Sequence, residues 1–352
     1  MSKSVNIGVV GTGFVGGCFL RQLAPIAEKT GINVVAISKL EGTIISPEYK
    51  PLPISADFTP NSGRVSPVEL AEFLAKSPVP AVLVDNTANQ ELAMAYPEFT
   101  SRGVSIVTPN KKAFSSSLEL WNKLQNPTAP ALVYHESTVG AGLPVISSVK
   151  DLIITGDKIE LIEGILSGTL SYIFNEFSKE GAPAFSDIVK VAKQRGFTEP
   201  DPREDLNGLD VARKVTILAR LAGLQVESAT SFPVESLIPK PLESSSSAEE
   251  FLSKLPEFDA DIQKRKEDAK ARGKVLRFVG QVDVPAKKVT VGIKEYDASH
   301  PFASLTGADN IVSFKTKRYP SPLIIQGAGA GDEVTAMGVL GDLVKVTQRI
   351  AK

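Results

Sequence analysis

Apolar residues fall into two regimes along the chain. Through roughly the first 150 positions, short apolar runs alternate with stretches in which apolar residues recur every third or fourth place. That alternation predicts parallel strands joined by helices. The expected strands are residues 5–10 (VNIGVV), 33–37 (NVVAI), 81–85 (AVLVD), 104–107 (VSIV) and 131–134 (ALVY). From residue 158 the pattern changes. KIELIEGILSG is strand-like, and long helical patterns occupy residues 169–222. Residues 239–272 are charged and serine-rich, with four successive serines at 244–247, and read as a surface excursion carrying a polar helix. The later runs VLRFVGQVDV, KVTVGIKEY, NIVSFKTKRY and PLIIQG alternate as an antiparallel sheet with one wet face does. A glycine turn and an amphipathic helix close the chain, and no internal repeat is present.

The first run leads directly into Gly11, Gly13 and Gly16, at G-x-G-x-x-G spacing, and then into a helical pattern through Leu20, Leu23 and Ile26. Between a strand and a helix, such glycines have separate tasks. Gly11 permits the tight turn, Gly13 lets a pyrophosphate approach the backbone, and Gly16 lets helix and strand pack closely. The amides at the helix start, with Phe14 and Val15, then face the phosphates. The second strand ends in Ser38 and Lys39, where a carboxylate would hold the ribose of NAD. A hydroxyl and an ammonium suit a 2′-phosphate, whereas Glu41, close by, would serve NAD. NADP(H) is therefore the expected preferred cofactor and NAD(H) the alternative. Thr87, in the polar turn after the strand at 81–85, and Gly331, in the closing glycine turn, are further candidate cofactor contacts. The expected fold is α/β: a Rossmann-type dinucleotide-binding domain, residues 1–150 and 328–352, with a second α+β domain, residues 151–327.

Composition narrows the choice. The 352 residues suffice for two domains, and 42% hydrophobic residues with a net charge of −1 fit a globular protein. No basic patch is dense enough to argue for nucleic acid. No apolar stretch approaches the ~20 residues of a membrane span, and MSKSVNIG is too short and polar for a signal peptide. The single cysteine, Cys18, cannot form an internal disulfide, which points to a reducing, cytoplasmic setting. Inside the first helix it is expected as a small buried hydrophobe, not a nucleophile. His135 and His300 form neither a metal-ligand cluster nor a His–Asp pair, and no G-x-S-x-G occurs.

Chemistry concentrates in the second half. On the helix expected over residues 207–222, Asp210 and Lys214 are four apart and share a face, which continues as Ile217 and Leu221. A helix that is polar at its start and apolar beyond borders a cleft before entering a core. The alternative is an ordinary surface ion pair worth a few tenths of a kcal/mol. Just upstream, GFTEPDPRED (residues 196–205) crowds carboxylates into a loop stiffened by two prolines. Such acids are either merely solvated or hold the amino group of a substrate.

Several segments taken together carry a resemblance. They are the GTGFVG turn, TPNKKAF (108–114), HESTVGAGLPVI (135–146), GILSGTLSYIFNEF (164–177), GFTEPDPREDLNGLDVARKVTILAR (196–220) and QGAGAG (326–331). The chain closely resembles homoserine dehydrogenase in its short fungal form, over nearly its whole length. The resemblance implies reversible hydride transfer between NAD(P)H and aspartate 4-semialdehyde, giving homoserine, with no regulatory ACT domain and no fused aspartokinase. It implies that Lys214 and Lys111 are active-site lysines with Asp210 beside them. Glu199 would bind the substrate amino group, with Asp205 and Thr169 as further substrate contacts. Glu136, Val139, Ala141 and Leu143 would form a monovalent cation site for Na⁺ or K⁺, partly of main-chain carbonyls. The second domain would carry the catalytic helices and a dimerisation sheet, making a homodimer. Fungal relatives often have tyrosine before TEPDP; Phe197 here removes that hydroxyl. Two other readings of the residues stand beside this one. The first is another Rossmann-fold sugar or polyol dehydrogenase, which has no need of the EPDP loop. The second is a non-enzymatic dinucleotide sensor, which has no need of the Asp210–Lys214 pair.

Overall fold

The computed structural model describes residues 4–351. Its chain divides into two units, one running to Ile146 and resuming at Gly331, the other spanning Ser147–Ala330.

The first unit is built on a six-stranded sheet. Its strands are β1 (Val5–Val10), β2 (Ile32–Lys39), β3 (Gly42–Ile45), β4 (Ala81–Asp85), β5 (Ser105–Val107) and β6 (Val133–Tyr134), in the order β3-β2-β1-β4-β5-β6. All neighbours are parallel except the edge strand β3, which turns back on β2. β1 and β4 are mostly apolar because both faces are covered, as parallel strands require, and their polar residues Asn6 and Asp85 are buried as well. The helices Phe14–Leu23 and Asp332–Ile350 pack together on one side, so the end of the chain completes the core begun by its start. Cys18 is buried in the first of these helices; Arg21 donates to its Sγ at 2.9 Å. β6 is shorter than the apolar run 131–134; the Leu132 amide donates to the Ser105 side chain on β5 (Oγ, 3.0 Å) and not to a backbone carbonyl.

The second unit holds a five-stranded antiparallel sheet. Its strands are β7 (Ile159–Ile165), β8 (Lys274–Asp283), β9 (Lys288–Asp297), β10 (Asn310–Thr316) and β11 (Leu323–Gly327), in the order β11-β10-β7-β8-β9. The helices Gly168–Phe177 and Leu209–Leu221 cover one face. On the other, Phe302 and Leu305 close over Ile165, Val279 and Ile311. The exposed part of that face carries Glu163, which accepts from Gln281 and Tyr296, and Ile324, 39% exposed. Residues 239–272 are not a detached excursion. Phe251, Leu255 and Ala269 are buried, tying the helices Ala248–Lys254 and Asp259–Ala271 to the unit.

Helix and sheet meet closely at Gly280. A Cβ there would lie 2.1 Å from Val215 Cγ2, and Val215 is itself buried. Gly280→Ala is therefore expected to destabilise the protein by about 1–3 kcal/mol, the cost of overpacking a filled core. Urea unfolding measures this, and an unchanged midpoint would contradict the packing described.

Candidate active site and dinucleotide cleft

In the first unit, β1 ends where the glycine turn begins. Gly11 has φ +89°, a conformation glycine adopts without strain, and a Cβ on Gly16 would lie 1.9 Å from the Gly11 carbonyl oxygen. Around Gly13 the space for a Cβ is open, as a phosphate approaching the backbone needs. Phe14 is 85% exposed at the start of the helix and Val15 is half-buried behind it. Gly11 and Gly13 border a cavity of about 700 Å³ that also reaches Ser38, Lys39, Glu41, Thr87 and Arg64, whereas Phe14, Val15, Gly16 and Gly331 do not line it. Ser38 Oγ lies 3.0 Å from Thr43 Oγ1. The Lys39 ammonium donates to the Phe58 carbonyl at 3.1 Å and sits 4.7 Å over the Phe58 ring. Lys39 is thus drawn against Phe58, while Arg64 brings a second cation to the same cavity. Arg64 was not foreseen: it lies in a loop that carries no strand or helix pattern. Gly331, φ +120°, precedes the last helix.

A buried network supports the far side of the cleft. Asp85, at the end of β4, accepts from Thr87 N and Oγ1 (2.8 and 2.7 Å), Tyr96 Oη (2.6 Å) and Asn110 Nδ2 (3.2 Å). Burial pushes its carboxyl up from the usual range, against the pull of these donors. Thr108 Oγ1 donates to the Asp85 carbonyl, and Asn110 accepts from the Lys112 amide. The loop that presents the half-buried Lys111 is therefore held by a fixed hydrogen-bond frame.

The HESTVGAG segment folds as a compact turn. Glu136 is 6% exposed, and its Oε1 accepts from the Ile146 amide at 2.6 Å. Its own amide donates to Asp342 Oδ2. Gly140 and Ala141 both have left-handed φ, +79° and +54°, which redirects the carbonyls of this stretch. Val139 and Ala141 are buried, and the Leu143 carbonyl accepts from Val145 N at 2.8 Å. Among the described residues no cluster of three or more His, Cys, Asp or Glu forms a metal site. Any cation held here would rest on one carboxylate and on carbonyls.

In the second unit, the helix begins at Leu209 rather than at residue 207, because Gly208 takes φ +74° and Asn207 Oδ1 accepts the Leu209 amide. Lys214 is 8% exposed. Its Nζ lies 2.7 Å from Asp210 Oδ2 and donates to the Leu166 carbonyl, just beyond β7, at 2.6 Å. Asp210 itself is half exposed. Ile217 is buried, so this face does run from a polar edge into the core.

The acid loop stands against the adjoining helix. Thr169 Oγ1 lies 2.5 Å from the Phe197 carbonyl and 2.8 Å from Asp205 Oδ1. One hydroxyl proton cannot serve both acceptors fully. Burial pushes the Asp205 carboxyl up, as do the charges of Glu199 and Asp210, against the pull of the Glu199 amide and the Thr169 hydroxyl. The Glu199 amide donates to Asp205 Oδ2 at 2.9 Å, and its side chain is exposed. Phe197, 40% exposed, packs on Tyr172 with ring centroids 4.8 Å apart. Lys214, Asp210, Thr169, Asp205 and Glu199 thus share one region of the second unit; Lys111 and Glu136 belong to the first. Both histidines pack structurally, His135 stacking on Phe114 and His300 on Tyr296.

Residues 144–344 match the family described as homoserine dehydrogenase, and residues 11–130 match its NAD binding domain. A homoserine dehydrogenase of Saccharomyces cerevisiae is 54% identical over 99% of both chains. A crystal structure of a Candida auris protein of unknown function superposes with a TM-score of 0.96, at 54% identity over 99% of both chains. A hyperthermophilic archaeal homoserine dehydrogenase in complex with NADPH superposes with a TM-score of 0.72, at 25% identity over 98% of both.

Proposed function

The chain belongs to the homoserine dehydrogenase family and is an NAD(P)-dependent oxidoreductase acting on a CH–OH group, and on that footing we propose that Lys214 protonates the aldehyde oxygen of aspartate 4-semialdehyde. Membership displaces both the sugar or polyol dehydrogenase reading and the sensor reading. The observation that carries the proposal is the buried ammonium clamped between Asp210 and the Leu166 carbonyl. The reduced nicotinamide, when bound, supplies a hydride to the aldehyde carbon. Negative charge then gathers on oxygen, and an oriented ammonium stabilises that charge and gives up its proton. Asp210 holds the lysine in line and, being half exposed, connects it to solvent for reprotonation. Lys111, on its braced loop, is the second active-site lysine. Glu199 receives the substrate ammonium, and Asp205 and Thr169 shape its pocket. Phe197 supplies an apolar wall where a tyrosine would donate a hydrogen bond.

NADPH is the preferred cofactor in this reading. Ser38, Lys39 and Arg64 border the cavity at the place of the ribose, and Arg64 takes the larger share because Lys39 is engaged by Phe58. The Glu136 carboxylate with the carbonyls of Val139, Ala141 and Leu143 holds Na⁺ or K⁺; hard oxygens with a single negative charge suit a monovalent ion. The Glu136 bond to Ile146 N and the Leu143 bond to Val145 N leave this turn a structural rather than a catalytic part. The exposed portion of the five-stranded sheet, with Ile324 on it, joins two copies as a homodimer.

Four outcomes follow. Lys214→Ala should lose ~10²-fold or more in kcat, the scale of a missing general acid, with cofactor affinity little changed; near-wild-type turnover of the folded variant removes Lys214 from the mechanism. Catalytic efficiency should favour NADPH over NADH, and Arg64→Ala and Lys39→Ala should each narrow that ratio, by on the order of 1.5–3 kcal/mol at most. A preference for NADH, or a ratio indifferent to both changes, would overturn the assignment. A high-resolution map in sodium or potassium buffer should show more than three oxygen neighbours around one peak beside Glu136; two or three at hydrogen-bond lengths mean water. Sedimentation equilibrium at micromolar concentration should give the mass of two chains, and a monomer mass refutes the dimer.

A further inference from the structure

The loop that presents Glu199 and Asp205 is bounded by two glycines in left-handed conformation, Gly196 (φ +72°) and Gly208 (φ +74°). Pro200 and Pro202 fix two φ angles between them, yet a loop hung between two glycines needs further ties to keep its acids in place. Thr169 ties the inner side, through Phe197 and Asp205. Arg203 ties the outer side. Its Nε lies 3.0 Å from each Asp201 oxygen and its Nη2 2.6 Å from Oδ2, a fork on one carboxylate. Its Nη1 donates to the Ser245 carbonyl at 2.7 Å, and the guanidinium carbon lies 5.9 Å over the Phe251 ring. Only a guanidinium has the planar array of donors to serve the carboxylate and the carbonyl together.

The receiving surface is itself firm. Phe251 is fully buried. Ser247 caps the Ala248–Lys254 helix by accepting from the Glu250 amide (3.1 Å), and Ser246 donates both N–H and hydroxyl to Glu250 Oε2 (2.7 Å each). The bonds from Lys254 and Ser246 hold the Glu250 carboxyl down at about 2. The serine run therefore has a use: it fixes the Ser245 carbonyl.

We propose that Arg203 is a positioning residue for the amino-acid end of the substrate, fastening the Glu199–Asp205 loop to the Ser245 carbonyl and the Phe251 ring. The proposal rests on the reading that Glu199 receives the substrate ammonium and that Asp205 shapes the pocket beside it. The clamp on Lys214, made by Asp210 and Leu166, lies outside this loop. A loosened loop therefore weakens substrate binding without touching proton transfer, which raises KM and leaves kcat alone.

The test is steady-state kinetics on the full chain with NADPH, comparing wild type, Arg203→Ala, Arg203→Lys, Phe251→Leu and Glu199→Gln. Arg203→Ala should raise the KM for aspartate 4-semialdehyde ~10-fold or more, the scale of one charge-assisted hydrogen bond, with kcat and the KM for NADPH within about twofold of wild type. Arg203→Lys should recover part of the loss, through Asp201 alone, and Phe251→Leu should show a smaller rise of the same kind. Succinic semialdehyde, which lacks the amino group, should be reduced equally well by wild type and Arg203→Ala. An unchanged KM in Arg203→Ala beside a raised KM in Glu199→Gln overturns the positioning role. An unchanged KM in Glu199→Gln overturns instead the reading of Glu199. Equal losses on both aldehydes, or a fall in kcat together with thermal stability, make Arg203 a structural residue only. Should Arg203→Ala not fold, Arg203→Lys and Phe251→Leu carry the same comparison.

Discussion

An ammonium group taken almost entirely out of water has to be given partners of its own, and Lys214 is such a group. Asp210, one helical turn earlier, supplies the charge, and the Leu166 carbonyl at the end of β7 supplies a dipole. Much of the second unit follows from meeting that requirement. The helix must start just after Gly208 for Asp210 to fall in its first turn. It must lie close to the sheet, which Gly280 allows by presenting no side chain to Val215. β7 must end where its successor can turn a carbonyl towards the lysine, before Ser167 caps the next helix through the Leu170 amide. A pair with one buried partner adds little to stability, since desolvation of the lysine offsets much of the attraction. In the proposed mechanism its use is chemical: the two partners hold the lysine proton at a fixed point.

The features legible in the sequence were those whose cause is local. The glycine spacing after β1 declares a turn because each glycine answers to a backbone constraint within a few residues, and Gly11 and Gly16 meet those constraints in the structure. The pairing of Asp210 with Lys214 was legible because four residues make one helical turn. Alternation in the late runs announced an antiparallel sheet, which is what β8 to β11 form with β7. What stayed hidden depends on distant partners. β3 is four residues long, and its Gly42 leaves room for the Ser62 carbonyl oxygen, which would lie 2.7 Å from a Cβ there. Arg64 reaches the cleft from a patternless loop. The Leu166 carbonyl has no side-chain signature at all. Residues 239–272 read as a polar appendage because charge dominates them, while the few apolar anchors, Phe251 and Leu255, settle their place.

The two units brace their working residues by different means. In the first, a buried carboxylate, Asp85, gathers donors from Thr87, Tyr96 and Asn110, and so fixes a loop without exposing charge. In the second, an exposed loop of acids is held at its edges, by Thr169 on one side and Arg203 on the other, which leaves Glu199 open to solvent. The contrast suits the two tasks. In the proposed reading a large nicotinamide cofactor lies along the rigid cleft, whereas a small charged amino acid meets a few groups that are accurately placed but still reachable.

The most direct test of the central claim is a high-resolution crystal structure of the protein with homoserine and oxidised cofactor bound. The account predicts the Lys214 Nζ within hydrogen-bond distance, about 2.7–3.2 Å, of the homoserine hydroxyl oxygen, with Asp210 still bonded to the lysine. A hydroxyl directed to any other donor, with Lys214 out of its reach, would contradict it.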